Sequence, residues 1–375
     1  MKKCIFLFCL LLFFSCAKHP HFDNALDAAL ASSNEKITQV MHNLEAHQVQ
    51  IRFTQIDRDG DNLVFTDYDF QVNADNYFYP ASTVKFPAAV SALEKLNELD
   101  SLDRDVLFYV EGDSVETTFA RAVEEIFAVS DNDANNRLVE FLGFDDLNQR
   151  IRNKVARPVR IAHRLSTSNA DDVTSKPLVL YKNDSSTVVS QPIVSAPPNE
   201  LALKNIEKGR GFYARDSLHN EPFNFGLKNY YPIATQHGLL KRVLFPEEFN
   251  EDERFNLTKD QHTFLLKSMS ALPYQAGYNR EEYYDGYVKF FMFGDSMEPM
   301  PEHIKIFNKV GYAYGTLTDC AYIKDTKNKV DFMITATILV NKDGIFNDDN
   351  YEYDEVGIPF LAQLGREIYD YELKR

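Results

Sequence analysis

Cysteine and tryptophan are scarce in this chain. Its 375 residues contain no tryptophan and four cysteines, and three of these (Cys4, Cys9 and Cys16) lie within the first 16 residues. Cys320 is therefore alone in the rest of the chain, and a lone cysteine cannot form an internal disulfide. The fold must be stabilised by burial of apolar residues, and the chain is long enough to build two packed units.

Long hydrophobic runs are also missing, and the most apolar segment lies at the N-terminus. Residues 5–14 form an apolar run that follows Lys2 and Lys3 and is too short to span a membrane. The run ends in Phe-Phe-Ser-Cys and resembles a bacterial lipoprotein signal. Residues 1–16 are thus predicted to be an export signal, with Cys16 lipidated and anchoring the protein to a bacterial membrane, facing the periplasm or cell exterior. An ordinary cleaved signal or a membrane anchor is the alternative.

Basic residues are outnumbered: 40 Lys and Arg against 56 Asp and Glu give a formal net charge of −16. Such an acidic surface argues against nucleic acid or anionic lipid as a direct partner, because both would be repelled. The nine histidines are scattered without the spacing of metal ligands. Neither a metal site nor a cofactor is therefore predicted.

The first candidate for chemistry is the pair Ser82 and Lys85, at the start of a run with helical periodicity. Residues three apart share one helical face, so the amine of Lys85 can reach the hydroxyl of Ser82. A desolvated lysine can then act as the base that activates a serine nucleophile. The same spacing occurs at Ser33 and Lys36, where nothing else suggests chemistry. The pair alone therefore does not predict a catalytic site.

Two further motifs follow in the sequence. Ser130-Asp-Asn132 ends a helical run, where a helix cap is the simpler interpretation. Lys309-Val-Gly311 lies in the first of several strands rich in β-branched residues. In this order the three motifs resemble those of the penicillin-recognising serine hydrolases, and the chain looks closest to the class A β-lactamases and related serine hydrolases.

The resemblance implies a role for each matched residue. Ser82 would attack an acyl carbonyl with Lys85 as a base, and Ser130 would relay a proton to the leaving nitrogen. The substrate would be a small β-lactam or a peptidoglycan-like acyl compound. Its binding would involve Asn132, Lys309, Gly311 and the backbone N–H of Tyr312, which forms an oxyanion hole with that of Ser82.

Two features depart from the family pattern. Val310 replaces the usual threonine or serine, whose hydroxyl helps to bind a substrate carboxylate. The glutamate that activates the deacylating water in this family is missing from residues 156–166. Glu200 and His163 are weaker candidates for that base, with ordinary loop or core roles as the alternative. Efficient deacylation is therefore in doubt.

The resemblance also implies an α/β fold of the α+β type, similar to β-lactamases and transpeptidases, with an antiparallel sheet flanked by helices. Residues 24–75 and 285–375 are predicted to form a discontinuous sheet domain. Residues 76–284 are predicted to form a mostly helical inserted domain. Within it, residues 170–232 form an insertion that either covers the cleft or decorates the surface.

Local patterns add detail to the first part of the chain. The periodicity of residues 24–46 predicts one amphipathic helix. Residues 49–56 and 62–72 are predicted to pair as a hairpin around a tight turn.

Three functions are compatible with the sequence. The first is a serine acyl-enzyme hydrolase that attacks a β-lactam or a peptide-like amide. The second is a D,D-peptidase or esterase-like acyl-enzyme, which does not require the missing glutamate. The third is a non-catalytic binding lipoprotein with the same fold.

Overall fold

The computed structural model describes residues 22–60, 62–99, 102–183 and 185–375. The predicted export signal, residues 1–16, and the lipidation site Cys16 lie outside the described residues. Within the described ranges, no helix combines the length and the apolar character that crossing a membrane requires.

The strands that the structure describes run from near the N-terminus to residue 346. In chain order they are β1 (Gln50–Asp59), β2 (Asn62–Phe70), β3 (Leu107–Val110), β4 (Thr117–Thr118), β5 (Leu178–Asn183), β6 (Ser186–Val189), β7 (Glu207–Lys208), β8 (Gly211–Ala214), β9 (Ser217–His219), β10 (Phe223–Asn224), β11 (Ile304–Ala313), β12 (Thr316–Asp325), β13 (Val330–Leu339) and β14 (Ile345–Phe346).

Helices lie at both ends of the chain and fill its middle. In chain order they are α1 (Ala25–Leu30), α2 (Glu35–Met41), α3 (Leu44–His47), α4 (Lys85–Leu96), α5 (Phe119–Ala128), α6 (Asn132–Leu142), α7 (Phe144–Val155), α8 (Ile233–Leu244), α9 (Lys259–Ser270), α10 (Phe290–Phe293) and α11 (Ile358–Glu372). Short 3₁₀ turns span Ala81–Val84, Pro246–Glu248, Glu251–Glu253 and Pro273–Ala276, and a π turn spans Tyr353–Gly357.

A five-stranded antiparallel sheet connects the two ends of the chain, in the order β11-β12-β13-β1-β2. Nearly every residue of β12 and β13 is buried, because helices cover both faces of the sheet. One face packs on α1, α2 and α11, and the other faces α8 and the helical unit. Strand β11 forms one edge, and this edge faces the turn that carries Ser82.

The predicted single helix over residues 24–46 is wrong, because this segment forms the three short helices α1, α2 and α3. The side chain of Asn34 accepts a hydrogen bond from the backbone N–H of Lys36 and caps a new helix there. The predicted hairpin is confirmed, since β1 and β2 pair from Ile51 with Phe70 to Asp59 with Asn62.

The described residues of the insertion, 170–183 and 185–232, pack beside the Ser82 turn. It contains β5 to β10, and its rings Phe225 and Tyr230 join a buried cluster with Tyr77 and Tyr79. Tyr79 lies three residues before Ser82, so the insertion supports the turn that carries the candidate nucleophile.

Candidate active site

Ser82 lies in the 3₁₀ turn Ala81–Val84, which leads directly into α4 at Lys85. The turn is pinned because both the backbone N–H and the hydroxyl of Thr83 donate to the carbonyl of Pro80, at 3.1 and 2.7 Å. Ala81 has a φ of +46°, a left-handed conformation that strains a residue with a Cβ. Ser82 itself is partly exposed between buried neighbours, so its side chain can meet a substrate.

Ser130 occupies the tight connection between α5 and α6, and its φ of +59° is also left-handed. The carboxylate of Asp131 accepts from the backbone N–H of Ala134 at 2.7 Å and caps α6. Asp131 thus fixes the connection, and Ser130 and Asn132 both line the cleft that contains Ser82.

Two buried lysines converge on the hydroxyl of Ser130. The Nζ of Lys85 lies 3.2 Å from Ser130 Oγ and also donates to the Ser130 carbonyl, while the Nζ of Lys309 lies 2.7 Å from the same Oγ. Lys309 also donates to the carbonyl of Val310 at 2.8 Å. Lysines from α4 and β11 therefore hold one serine hydroxyl from two sides.

Burial changes the protonation of both lysines. It lowers the pKa of Lys85 to about 7, although Asp131 and Asp133 act in the opposite direction. It lowers the pKa of Lys309 well below its usual value, and the nearby Lys85 adds to this. A substantial fraction of Lys85 is therefore a neutral amine at neutral pH, as a general base requires.

A polar network in the sheet lies behind Lys309. The amide of Asn308 donates to Asp319 at 2.8 Å and accepts from the buried amine of Lys289 at 2.7 Å. Burial lowers the pKa of Lys289 to about 7 and raises that of Asp319 to about 6. The network ties β11 to β12 next to Lys309 and so fixes the position of this lysine.

Gly311 allows β11 to pass unusually close to the nucleophile turn. A Cβ at this position would lie 2.7 Å from the backbone nitrogen of Ser82 and 2.8 Å from the carbonyl of Pro80. Only glycine permits this approach, because real Cβ atoms do not come within 3.0 Å of other heavy atoms. The approach brings the next residue, Tyr312, beside the N–H groups of the turn.

The cleft has a volume of about 880 Å³. Ser82, Ser130, Asn132 and Tyr312 belong to its lining, whereas Lys85, Lys309 and Gly311 are buried behind it. The residues of the three sequence motifs thus meet at one place.

Of the two candidate deacylation bases, His163 lines the cleft and Glu200 does not. The Nδ1 of His163 donates to the carbonyl of Arg164 at 2.7 Å, and its buried Nε2 has no protein partner among the described residues. Burial lowers the pKa of His163 to about 4, so the ring is neutral at pH 7 with Nε2 as an acceptor. Among the described lining residues, the carboxylates are Asp131, which caps α6, and the exposed Asp349.

Asn136 anchors the loop that carries His163, a function that the sequence did not predict. Its side chain donates to the carbonyl of Leu165 at 2.8 Å and accepts from the N–H of Leu165 at 2.9 Å. The carboxylate of Glu140 binds Arg164 from the same helix. The loop is thus rigidly held along one side of the cleft.

The tyrosines of the cleft wall, apart from Tyr312, were also missed. The sequence signal was present, because 20 tyrosines occur and several cluster near residues 278–287 and 351–353. Periodicity does not reveal which rings meet across the fold. Those in the lining are Tyr79, Tyr283, Tyr287, Tyr312, Tyr314, Tyr351 and Tyr353.

Comparison with protein families finds a match over part of the chain. Residues 32–191 match the model of the Beta-lactamase enzyme family. No curated protein matches the chain significantly.

Solved structures share the fold at low sequence identity. A β-lactamase from Burkholderia vietnamiensis is 12% identical with a TM-score of 0.54, covering 94% of this chain and 99% of the other. A β-lactamase from Sphaerobacter thermophilus is 14% identical with a TM-score of 0.52, covering 93% and 96%. L2 complexed with relebactam is 13% identical with a TM-score of 0.50, covering 92% and 98%. The predicted fold class and the resemblance to penicillin-recognising serine hydrolases are confirmed.

Proposed function

We propose that this chain, with the fold of the penicillin-recognising serine hydrolases, is a serine acyl-enzyme hydrolase that attacks a β-lactam or a peptide-like amide through Ser82. The observation that carries the proposal is the contact of Ser130 Oγ with two buried lysines, at 3.2 Å from Lys85 and 2.7 Å from Lys309. Such an arrangement can move a proton between a nucleophile and a leaving group.

Acylation requires two proton transfers, one from the nucleophile and one to the leaving nitrogen. Neutral Lys85 takes the proton of Ser82 Oγ as this oxygen bonds to the acyl carbon, and the carbonyl oxygen becomes an oxyanion. The N–H groups of Ser82 and Tyr312 stabilise that oxyanion. The bond from the acyl carbon to the leaving nitrogen then breaks, and Ser130 gives this nitrogen a proton that Lys85 replaces. Asn132 holds the amide of the substrate.

Deacylation is the slow step of this proposal. Asp131 is engaged in capping α6, and the exposed Asp349 is at the rim, so neither carboxylate is suited to activate water at Ser82. His163 is the remaining candidate base of the lining, because its neutral Nε2 has no protein partner among the described residues, although this nitrogen is buried. Burial makes it a weak base, since its pKa is lowered to about 4. These features favour a long-lived acyl-enzyme, as in a D,D-peptidase or esterase, over a fast β-lactamase.

The rate of hydrolysis distinguishes these activities. A chromogenic cephalosporin should give a burst of about one product per enzyme and then slow turnover, with a stable adduct in the mass spectrum. His163→Gln should slow the release of the adduct further. Turnover without a burst would contradict slow deacylation. A wild type that reacts with no acyl substrate would leave the binding lipoprotein as the better function.

The export signal and the lipid anchor on Cys16 are part of the same proposal. They would hold the cleft on the outer side of a membrane, where peptidoglycan-like substrates occur. Mass spectrometry of the N-terminal peptide from membranes tests this, with a diacylglyceryl-modified Cys16 as the expected result and an unmodified one as the contrary result.

A further inference from the structure

The part of the cleft next to Val310 is apolar and aromatic. Val310 and Val288 are in the cleft lining, and only 1% and 3% of their surfaces are exposed. Tyr312, which is 51% exposed, packs its ring 5.4 Å from that of Tyr353. Tyr287 belongs to the same wall, since it also lines the cleft. A substrate group beyond the scissile bond therefore meets the exposed ring of Tyr312 here, and the two buried valines contribute no polar side-chain atom.

Two cationic side chains of the site, those of Lys309 and Arg164, already have hydrogen-bond or ion-pair partners. Lys309 lies behind Ser130, and its Nζ is bonded to Ser130 Oγ and the Val310 carbonyl. Among the described residues of the lining, the cations are Arg164 and Lys228. Arg164 is buried and paired with Glu140, at 2.7 Å.

Lys228 belongs to another part of the cleft. Its charge acts on His163, whose pKa it helps to lower. His163 stacks on Tyr79, which packs against the insertion, with ring centroids 6.1 Å apart. Lys228 thus lies on the side of the cleft that the insertion forms.

Negative charge lies beside the tyrosine wall instead. Asp349 is exposed in the cleft lining, and its charge raises the pKa values of Tyr351 and Tyr353. Asp348 acts on Tyr351 in the same direction. The whole chain carries a formal charge of −16, which adds to the negative field. An anionic substrate group at this wall would lose its hydration in the negative field of Asp349, while the amine of Lys309 is buried and already hydrogen-bonded.

We propose that the wall formed by Val288, Val310, Tyr287, Tyr312 and Tyr353 is a leaving-group subsite that selects uncharged substrates. The acyl substrate of Ser82 then carries no carboxylate beside its scissile bond and presents a flat or apolar group to the tyrosines. This inference rests on the proposed function, and it predicts that carboxylated β-lactams acylate the same nucleophile more slowly than uncharged acyl compounds do. Specificity here comes from a penalty on the anion as well as from contacts with the neutral group.

A matched pair of esters tests the inference. Phenylacetylglycine is esterified through the phenol oxygen of either 3-hydroxybenzamide or 3-hydroxybenzoate, so the two leaving groups differ in one charge. The rate of Ser82 acylation is measured by release of the phenol and by intact mass, and is corrected for the rate of hydrolysis of each ester by hydroxide. The carboxamide ester should acylate about tenfold faster or more, because only the carboxylate meets the acidic wall.

Two variants test whether this wall causes the faster acylation by the carboxamide ester. Val310→Thr adds a hydroxyl donor, and Asp349→Asn removes a charge at equal size, so each should reduce the rate ratio of the two esters. Asp370→Asn makes the same charge change at the far end of α11 and should leave the ratio as in the wild type.

The outcomes separate the inference from the proposed function. A carboxylate ester that reacts as fast as or faster than the carboxamide would overturn the inference and leave the acyl-enzyme in place. A preference that neither Val310→Thr nor Asp349→Asn reduces would also overturn it. If neither ester modifies Ser82, the proposed function fails and the inference fails with it.

Discussion

The Nζ of Lys309 lies 2.7 Å from the Oγ of Ser130 across the junction between the sheet and the helical unit. Lys309 lies on the edge strand β11 and also donates to the carbonyl of Val310. Its side chain therefore links β11 to the segment between α5 and α6. The serine hydroxyl thereby has a fixed position from which it can pass a proton to a leaving group.

Removal of the Ser130 hydroxyl should slow acylation by amide substrates more than acylation by aryl esters. In Ser130→Ala the leaving nitrogen of an amide or β-lactam is not protonated, and acylation should fall by about 10²–10⁴-fold. A phenolate leaves without a proton, so acylation by the carboxamide aryl ester should fall by about tenfold or less. Acylation rates of the two substrate types measure the difference. Equal losses would contradict a proton relay through Ser130.

The acylation rate should rise with pH through the titration of Lys85. The amine is a base only when neutral, and burial lowers its pKa to about 7, so the rate should reach half of its maximum near that pH. Lys85→Arg should lose about 10³-fold or more, because a guanidinium keeps its proton at every pH of the assay.

Lys95→Arg is the matched control for this prediction, since Lys95 lies on the same helix and pairs with Asp146 at the surface. It should keep the wild-type pH profile. A profile that is flat between pH 5 and pH 9 in the wild type would show that Lys85 is not the base.

A methyl group at Gly311 should separate the strand from the nucleophile turn. In Gly311→Ala the new Cβ would lie 2.7 Å from the Ser82 nitrogen, so either β11 or the turn must move. We expect an unfolding free energy lower by about 1–3 kcal/mol and acylation slower by about 100-fold, because the oxyanion donors shift.

The control variant is Gly112→Ala, where a Cβ meets nothing within 4 Å but the φ of +85° penalises alanine. It should lose stability comparably and keep its acylation rate. Thermal unfolding and acylation kinetics are measured on both variants. A Gly311→Ala variant that is acylated as fast as the wild type would refute the close approach of β11 to the Ser82 turn.

Acid should destabilise the fold through His237. This ring is buried and interacts with the hydroxyls of Thr54 and Thr335, and burial lowers its pKa to about 3 although Asp67 opposes this. An unfolded histidine takes up its proton near pH 6.5, so stability is complete above that pH and is lost as pH falls toward 3. Between pH 7 and pH 5 the loss from this residue is about 2 kcal/mol.

Comparison with a variant isolates this contribution, because other buried groups also titrate. Asp319 acts in the opposite direction, since burial raises its pKa to about 6 and its protonation favours the folded state. Denaturant unfolding at pH 7 and pH 5 should give a smaller loss of stability for His237→Gln than for the wild type. The same loss in both proteins would rule out His237 as the source.

The three motifs could be located from the sequence because each is short. Ser82 and Lys85 were placed on one helix, whereas Ser82 lies in the 3₁₀ turn that precedes α4, and Gly311 stands in a strand whose pattern is clear. The close contact of Lys309 with Ser130 depends on the whole fold, and only the family resemblance indicated it. The hairpin was predicted correctly because a tight turn separates its two strands.

The features that the sequence did not predict depend on tertiary contacts or on a single cap. Apolar periodicity continues through residues 24–46, but the capping side chain of Asn34 interrupts the helix. The tyrosine wall joins Tyr287, Tyr312 and Tyr353, which are separated by up to 66 positions in the sequence. No local sequence pattern indicates that these three rings lie together in the fold.

The most direct test is covalent labelling of Ser82. Purified protein is incubated with fluorescent penicillin and, separately, with the carboxamide aryl ester, and intact mass and peptide mapping locate the adduct. One acyl group on Ser82 of the wild type, acquired from the carboxamide aryl ester and more slowly from penicillin, and none on a folded Ser82→Ala variant, is the expected result. A wild type that neither reagent labels, or equal labelling of both proteins, would contradict the assignment of Ser82 as the nucleophile.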